Sequence, residues 1–599
     1  MNTPQTISQL FFNAVDRFGT KRAALRHKQA GQWTDITHQE LARSVQHTAL
    51  GLRELGINRG DRVAILSENR PEWAIADLAC LTSGFVDVAI YATLTASQIS
   101  YILNDSRATA VFLSDRKQLD KIEDIRNELT HLRHLIAFDD LGDDAPVTTL
   151  AQLKQRGATA EPKHPMYRDD ALSLQPDTLA TLIYTSGTTG DPKGVMLTQG
   201  NFASNVSSAL KILTIGPDDS CLSLLPLSHA FERTCGFYAT LQAGATINYA
   251  ESIDQLRANM LEVRPTILIS VPRLYEKIFS RIIERALSGG AIRKRMFFWA
   301  KRVAERWTDL RLSRKPIPST LATKRAIADR LVFRKVRAET GGRLRFFVSG
   351  GAPLAPDIAR FFHAAGLPIL EGYGLTETSP VLTVNPYEAI RIGTVGRPIP
   401  GTEIRIAEDG EVLARGPGIM TGYYNKPDAT AQALDPDGWF HTGDIGEIDP
   451  EGYLKITDRK KDIIVTAGGK KIAPQPIENR LESSPFVANA VMIGDKRKYA
   501  IVLVVPDIRA CRQWAGERRL TATGSAAELI ALPEVAAKVE REVMVLLRDL
   551  ARFEMPKKVI LLPEEFTVEN GELTPTLKVK RHVIEAHYRE LIDAAYEPD

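Results

Sequence analysis

"YTSGTTGDPKGVMLTQGN", Tyr184 to Asn201, sets six consecutive Gly, Ser or Thr residues between an apolar run and a Pro-Lys-Gly step. The run before it, "TLIYT" (Thr181 to Thr185), reads as a strand, and "GVML" is the next apolar segment. A loop of this composition can turn backbone N–H groups and hydroxyls onto phosphate oxygens, and Lys193 adds a positive charge on a flexible stem. The spacing is not G-x-x-x-x-G-K-[ST]: Gly187 and Gly190 stand too close together, and Gly194 rather than a hydroxyl residue follows Lys193. A P-loop kinase or ATPase is thereby excluded, while a phosphate cradle of another kind is not.

Outward from this loop, short apolar runs recur: "RVAIL" (Arg62 to Leu66), "TAVFL" (Thr109 to Leu113), "TILISV" (Thr266 to Val271) and "LRFFVSG" (Leu344 to Gly350). They alternate with longer helical patterns such as "HQELARSVQHTALGLRELG", which Gly56 is placed to end. This predicts an α/β fold of buried, largely parallel sheets. From Ile392 to Asp458 the texture shifts to short segments broken by Gly, Pro and Asp, with an Asp409-Gly410 turn, which predicts a small β-rich subdomain. Mixed α and β patterning then returns, so we expect a large domain over 1–458 and a compact C-terminal domain over 459–599.

With 599 residues, 44% hydrophobic and 25% charged, the chain has the composition of an ordinary globular protein of several units. Its net charge of +3 points to no nucleic-acid partner. The N-terminus lacks a signal-peptide core and no apolar run is long enough to span a bilayer, so a cytoplasmic location is expected. Cys80, Cys221, Cys235 and Cys511 lack metal-ligand or disulfide-framework spacing and read as buried thiols. One segment is unbalanced: Arg281 to Arg345 holds 19 Lys or Arg against 5 Asp or Glu, interleaved with Phe297, Phe298, Trp299 and Trp307. Such an insertion either lies on an anionic membrane surface or turns its aromatics toward its own protein.

T-S-G-T-T-G-x-P-K-G resembles the signature loop of the adenylate-forming superfamily of acyl-CoA synthetases, nonribosomal-peptide adenylation domains and luciferases. Further motifs of that family follow in family order as far as Arg581. The resemblance implies that Thr185, Ser186, Gly187, Thr188, Thr189, Gly190 and Lys193 hold the phosphates of ATP. "EGYGLTETSP" offers Glu371, Gly372, Tyr373 to stack on adenine, Thr376 for the α-phosphate, and Glu377 for Mg²⁺, with Thr185 as second metal oxygen. Gly350 and Gly351 match the adenosine-lining loop, Asp444 the ribose-binding aspartate, and Arg459 the nucleotide-contacting arginine.

His229 in "PLSHAFERT" matches a residue bordering the acyl site, and Gly468 and Gly469 match the loop that turns toward the coenzyme A tunnel. Lys461 falls at the hinge position. In "LTPTLKVKR", Lys578 matches the catalytic lysine that neutralises charge during adenylation; Leu577 stands where the pattern has Gly, and Lys578 rather than Lys580 keeps the spacing from Thr574 and Arg581. "PLSHAFER", "DRKKDIIVTAGGKKIAPQPIEN" and the basic insertion together resemble bacterial long-chain fatty acyl-CoA synthetases. The resemblance implies a mobile C-terminal domain and ligation of a fatty acid to coenzyme A with ATP. The alternatives are a fatty acyl-AMP ligase loading a carrier protein and a non-catalytic nucleotide or acyl-CoA binder.

Overall fold

The computed structural model describes residues 3–597 except 22, 143, 186–190, 289, 521–523, 568–569 and 575–578. Each apolar run named above forms a strand, because four or five β-prone residues flanked by polar ones bury both faces at once. Arg62–Leu66, Ala110–Leu113, His134–Ala137, Val86–Ile90 and Leu179–Thr185 are the parallel centre of an eight-stranded sheet. After Leu179–Thr185 the chain returns as the antiparallel strand Lys193–Thr198, which Gly422–Tyr423 flanks at the sheet edge.

A nine-stranded sheet carries Ser220–Ser223, Thr246–Tyr249, Ile267–Ser270, Phe346–Ser349 and Ile369–Gly374 side by side, all parallel. Helices cover the two sheets; His38–Glu54 begins at a reciprocal Thr37–Glu40 cap, and Gly56 beyond its end takes φ +84°. Four antiparallel strands, Glu403–Ile406, Glu411–Arg415, Phe440–Ile448 and Leu454–Arg459, make the β-rich unit. Its first turn runs through Asp409 and Gly410, with Gly410 at φ +90° and the Asp409 carboxylate accepting from the Glu411 amide. Past Arg459, a two-stranded hairpin (Ile464–Val465 with Lys471–Ile472) and a separate sheet of Val487–Ile493, Ile501–Pro506 and Val559–Leu561 use only strands from the C-terminal part.

The π-helical segment Glu232–Ala239 packs against both large sheets. Arg233 in it is wholly buried. Its Nε donates to the Tyr238 hydroxyl at 2.8 Å, Nη1 to Thr181 Oγ1 at 2.9 Å, and Nη2 to Asp87 at 2.6 Å and to Asp77. Tyr238 in turn donates to Asp77 at 2.8 Å, and the guanidinium lies over the Trp73 and Phe202 rings, 5.4 Å from each centroid. Burial holds the Asp87 carboxyl well above its usual range, against the pull of Arg233. Glu232 is also buried, near Cys221 and Cys235 of the other face, and burial pushes its carboxyl up to about 8. All four cysteines are buried free thiols.

The basic insertion folds as helices, Pro272–Leu287, Ala291–Leu312 and Ser319–Ala328 among them. Phe297 is buried, and Phe298, Trp299 and Trp307 are half-buried against the same apolar cluster. The aromatics therefore face mainly their own protein; the exposed large apolar residues described in the insertion are Leu287, Ile292, Ile327 and Leu331, and Ile292, 84% exposed, stands next to exposed Arg293, Lys294 and Arg295.

Replacing Arg233 by Met strands two buried carboxyls with no counter-charge. We expect Arg233→Met to lower the unfolding free energy by about 3–5 kcal/mol in a urea titration. A change within experimental error would mean the cluster does not hold the sheets.

Candidate active site

Strand ends supply the site. Tyr373 lies near the end of Ile369–Gly374, Asp444 in Phe440–Ile448, and Arg459 closes Leu454–Arg459 directly across from Asp444 in the ladder. The Tyr373 hydroxyl donates to Asp444 Oδ2 at 2.7 Å, and Arg459 Nε donates to Asp444 Oδ1 at 3.0 Å. The structure thus brings three predicted residues into one contact set, from the large sheet and the β-rich unit. Asp444 is 4% exposed and each oxygen already has one partner, so a diol would use its second lone pairs. Burial and the Asp444 charge keep the Tyr373 phenol protonated as the donor.

Glu377 sits in the tight turn Thr376–Thr378 directly after that strand, beside buried Thr376. Its Oε1 accepts from the Tyr423 hydroxyl at 2.9 Å. Its charge is also felt by Arg459, whose guanidinium is held fully cationic by Asp444, Asp462, Tyr373 and Glu377 against the cost of burial. Thr185 and Lys193 face each other as the paired residues at the two ends of the phosphate loop. The Lys193 ammonium lies 5.0 Å from the centre of the Tyr423 ring. Ser186, Gly187, Thr188, Thr189 and Gly190 lie outside the described residues, as does Lys578.

Next to this set, the Phe231 ring packs on Gly350: a Cβ there would meet the ring at 2.9 Å. Gly350 is therefore required by Phe231, while Gly351 takes φ +83° to turn the loop. The Phe231 amide donates to His229 Nδ1 at 3.1 Å, which puts the proton of the neutral imidazole on Nε2. Gly372 lies 3.2 Å, Cβ to oxygen, from the Thr383 carbonyl of the neighbouring strand. The His229–Phe231 stretch and the Gly350–Gly351 loop are thus in direct contact.

The C-terminal residues are placed differently. Gly468 and Gly469 form an exposed turn of the Ile464–Ile472 hairpin, with open space at both Cα atoms and Gly469 at φ +73°. Lys461 is exposed two residues past Arg459. Arg581 donates to Glu478 at 2.6 and 3.0 Å and to the Met492 carbonyl at 2.5 Å, so it clamps the C-terminal part internally. Sequence reasoning missed Tyr423, which stood in a stretch read only as hairpin, and Arg233, which stood unassigned beside His229 in a motif already singled out.

Glu371 is 7% exposed, and burial pushes its carboxyl up to about 8 even though the Leu354 and Gly393 amides favour its anion. The unfolded chain releases this proton near 4.5 and the folded one near 8, so the folded state loses stability as pH rises between those values. Glu371→Gln should flatten the fall of melting temperature over that window; parallel curves for the two proteins would contradict the assignment.

In oxygen chemistry the site suits a hard cation. Among the described residues no group of three or more His, Cys, Asp or Glu could hold a metal. A cation bound mainly through substrate phosphates and water requires only one or two protein oxygens, which Glu377 and Thr185 can provide.

A family model described as AMP-binding enzyme matches residues 11–424, and one described as AMP-binding enzyme C-terminal domain matches residues 461–599. The chain is 38% identical over 572 residues to the long-chain-fatty-acid–CoA ligase FadD15 of Mycobacterium bovis, covering 95% of this chain and 93% of the relative. It is 35% identical to the peroxisomal long chain acyl-CoA synthetase 7 of Arabidopsis thaliana, covering 94% and 82%. The crystal structure of an anthranilate CoA ligase in complex with anthranoyl-AMP shares the fold at TM-score 0.74 and 18% identity, with 99% of each chain covered. The meeting of Tyr373, Asp444 and Arg459 is thus found in a chain that belongs to the AMP-binding enzyme family.

Proposed function

We propose that the protein is a long-chain fatty acid–CoA ligase of the AMP-forming type. The observation that carries this reading is the match over 95% of the chain to a relative of that name. In the first half-reaction a fatty carboxylate oxygen attacks the α-phosphorus of ATP, the bond to the bridging oxygen breaks, and pyrophosphate leaves. In the second, the coenzyme A thiol loses its proton, its sulfur attacks the acyl carbon of the acyl-AMP, and AMP departs.

Residue roles follow the family's motifs as they stand in this chain. Thr185 to Gly190 and Lys193 cradle the departing pyrophosphate, Thr376 bonds an α-phosphate oxygen, and Tyr373, Gly350 and Gly351 border the adenine. Asp444 receives the ribose hydroxyls while Arg459 fixes its carboxylate. Mg²⁺, when held by Glu377 and Thr185, offsets the negative charge of the phosphates. His229 borders the acyl group. Lys578 neutralises charge on the attacking carboxylate and α-phosphate. The exposed Gly468–Gly469 turn and exposed Lys461 support a rotation that removes Lys578 and presents that turn to coenzyme A.

No helix among the described residues is long and apolar enough to cross a membrane. Membrane contact through this segment is peripheral and electrostatic: exposed Ile292 stands next to exposed Arg293, Lys294 and Arg295 at the start of the helix Ala291–Leu312. We expect weak binding to vesicles containing anionic lipid that falls when these three cations are neutralised. Equal binding by wild type and variant would argue against this segment.

Incubation with ATP, coenzyme A and a long-chain fatty acid should yield acyl-CoA by mass spectrometry, and Lys578→Ala should slow adenylate formation about 100-fold or more. Pyrophosphate release independent of coenzyme A with no acyl-CoA formed would favour an acyl-AMP ligase, and an unchanged rate in Lys578→Ala would remove the catalytic assignment.

A further inference from the structure

The stretch Met420–Tyr424 touches both halves of the phosphate and metal site. The Met420 amide donates to the Glu377 carbonyl at 2.8 Å. Two residues on, Gly422 and Tyr423 pair with Met196 and Val195 of the strand that leaves the phosphate loop, and the Tyr424 amide donates to the Gly194 carbonyl at 2.8 Å. Gly422 takes φ +147°, and a Cβ there would strike Thr430 at 2.7 Å, so the chain is held to this path. Between these anchors the Tyr423 side chain reaches inward. Its hydroxyl meets Glu377 Oε1 at 2.9 Å while its ring carries the Lys193 ammonium 5.0 Å from its centre.

We propose that Tyr423 is a positioning residue for the metal–nucleotide complex: its hydroxyl fixes Glu377 with Oε1 toward the phenol and Oε2 toward the cation, and its ring keeps Lys193 beside the phosphate loop. The proposal rests on the reading of Glu377 as a Mg²⁺ ligand. A carboxylate on a short turn can rotate about its terminal torsion, and one strong hydrogen bond to one oxygen selects the orientation that presents the other. The same tyrosine touches both Glu377 and Lys193.

The direct test is Tyr423→Phe, which keeps the ring and the Lys193 contact and removes only the hydroxyl. Mn²⁺ serves as the probe, its free concentration read by electron paramagnetic resonance with the full chain and a non-hydrolysable ATP analogue. Tyr423→Phe should weaken Mn²⁺ binding about 10-fold and raise the Mg²⁺ concentration needed for half-maximal adenylation by a similar factor, with the KM for fatty acid unchanged. In a double-mutant cycle with Glu377→Gln the two losses should not add, since both remove the same interaction. If Glu377→Gln weakens Mn²⁺ binding and Tyr423→Phe does not, the role of Tyr423 is overturned. If Glu377→Gln binds Mn²⁺ as wild type does, the ligand assignment of Glu377 falls, and this proposal with it.

Discussion

A single buried cation organises the large domain. Arg233 binds Asp77 in the helix Pro71–Ser83, Asp87 in the strand Val86–Ile90 and Thr181 in the strand that ends at the phosphate loop. An unpaired guanidinium at that depth would be prohibitively costly, so the segment that carries it has one place to sit. That segment is continuous with His229 and Phe231, and Phe231 in turn rests on Gly350 of the adenosine loop. The His229–Phe231 stretch and the Gly350 loop are therefore registered to each other through packing anchored on Arg233.

Around this rigid base the functional groups stand at the ends of strands, where backbone hydrogen bonding lapses and side chains face a cleft. Asp444 and Arg459 are ladder partners, so their mutual geometry is set by the sheet. Glu377, in a turn, and Lys193, at the start of a strand, both contact Tyr423. The C-terminal part has its own apolar clusters, and its functional turn at Gly468 and Gly469 is exposed. Separate cores joined just past Arg459 suit a reaction in which one part must move against the other.

Much of this was legible in the sequence because it rests on local rules. Apolar runs such as "RVAIL" had to be buried on both faces, and Asp409-Gly410 had to turn. Tyr373, Asp444 and Arg459 were legible only through the family resemblance, since an isolated Asp after Gly is usually just a turn residue. Arg233 was not legible: its partners lie 156 and 146 residues away, and charged residues carry no local mark of burial. For the basic insertion the sequence left two readings open, and the placement of the aromatics is decided by periodicity rather than charge density. Phe297, Ala300, Val303, Ala304 and Thr308 form one buried stripe of the helix Ala291–Leu312, and half-buried Trp307 adjoins it, turning aromatics inward.

The central claim is that one site activates a carboxylate with ATP before any thiol takes part. It is tested most directly by isotope exchange between labelled pyrophosphate and ATP, with a long-chain fatty acid present and coenzyme A withheld. The account predicts exchange that requires the fatty acid and proceeds without coenzyme A, because acyl-AMP forms reversibly in the first half-reaction. Exchange that is absent until coenzyme A is added would contradict it.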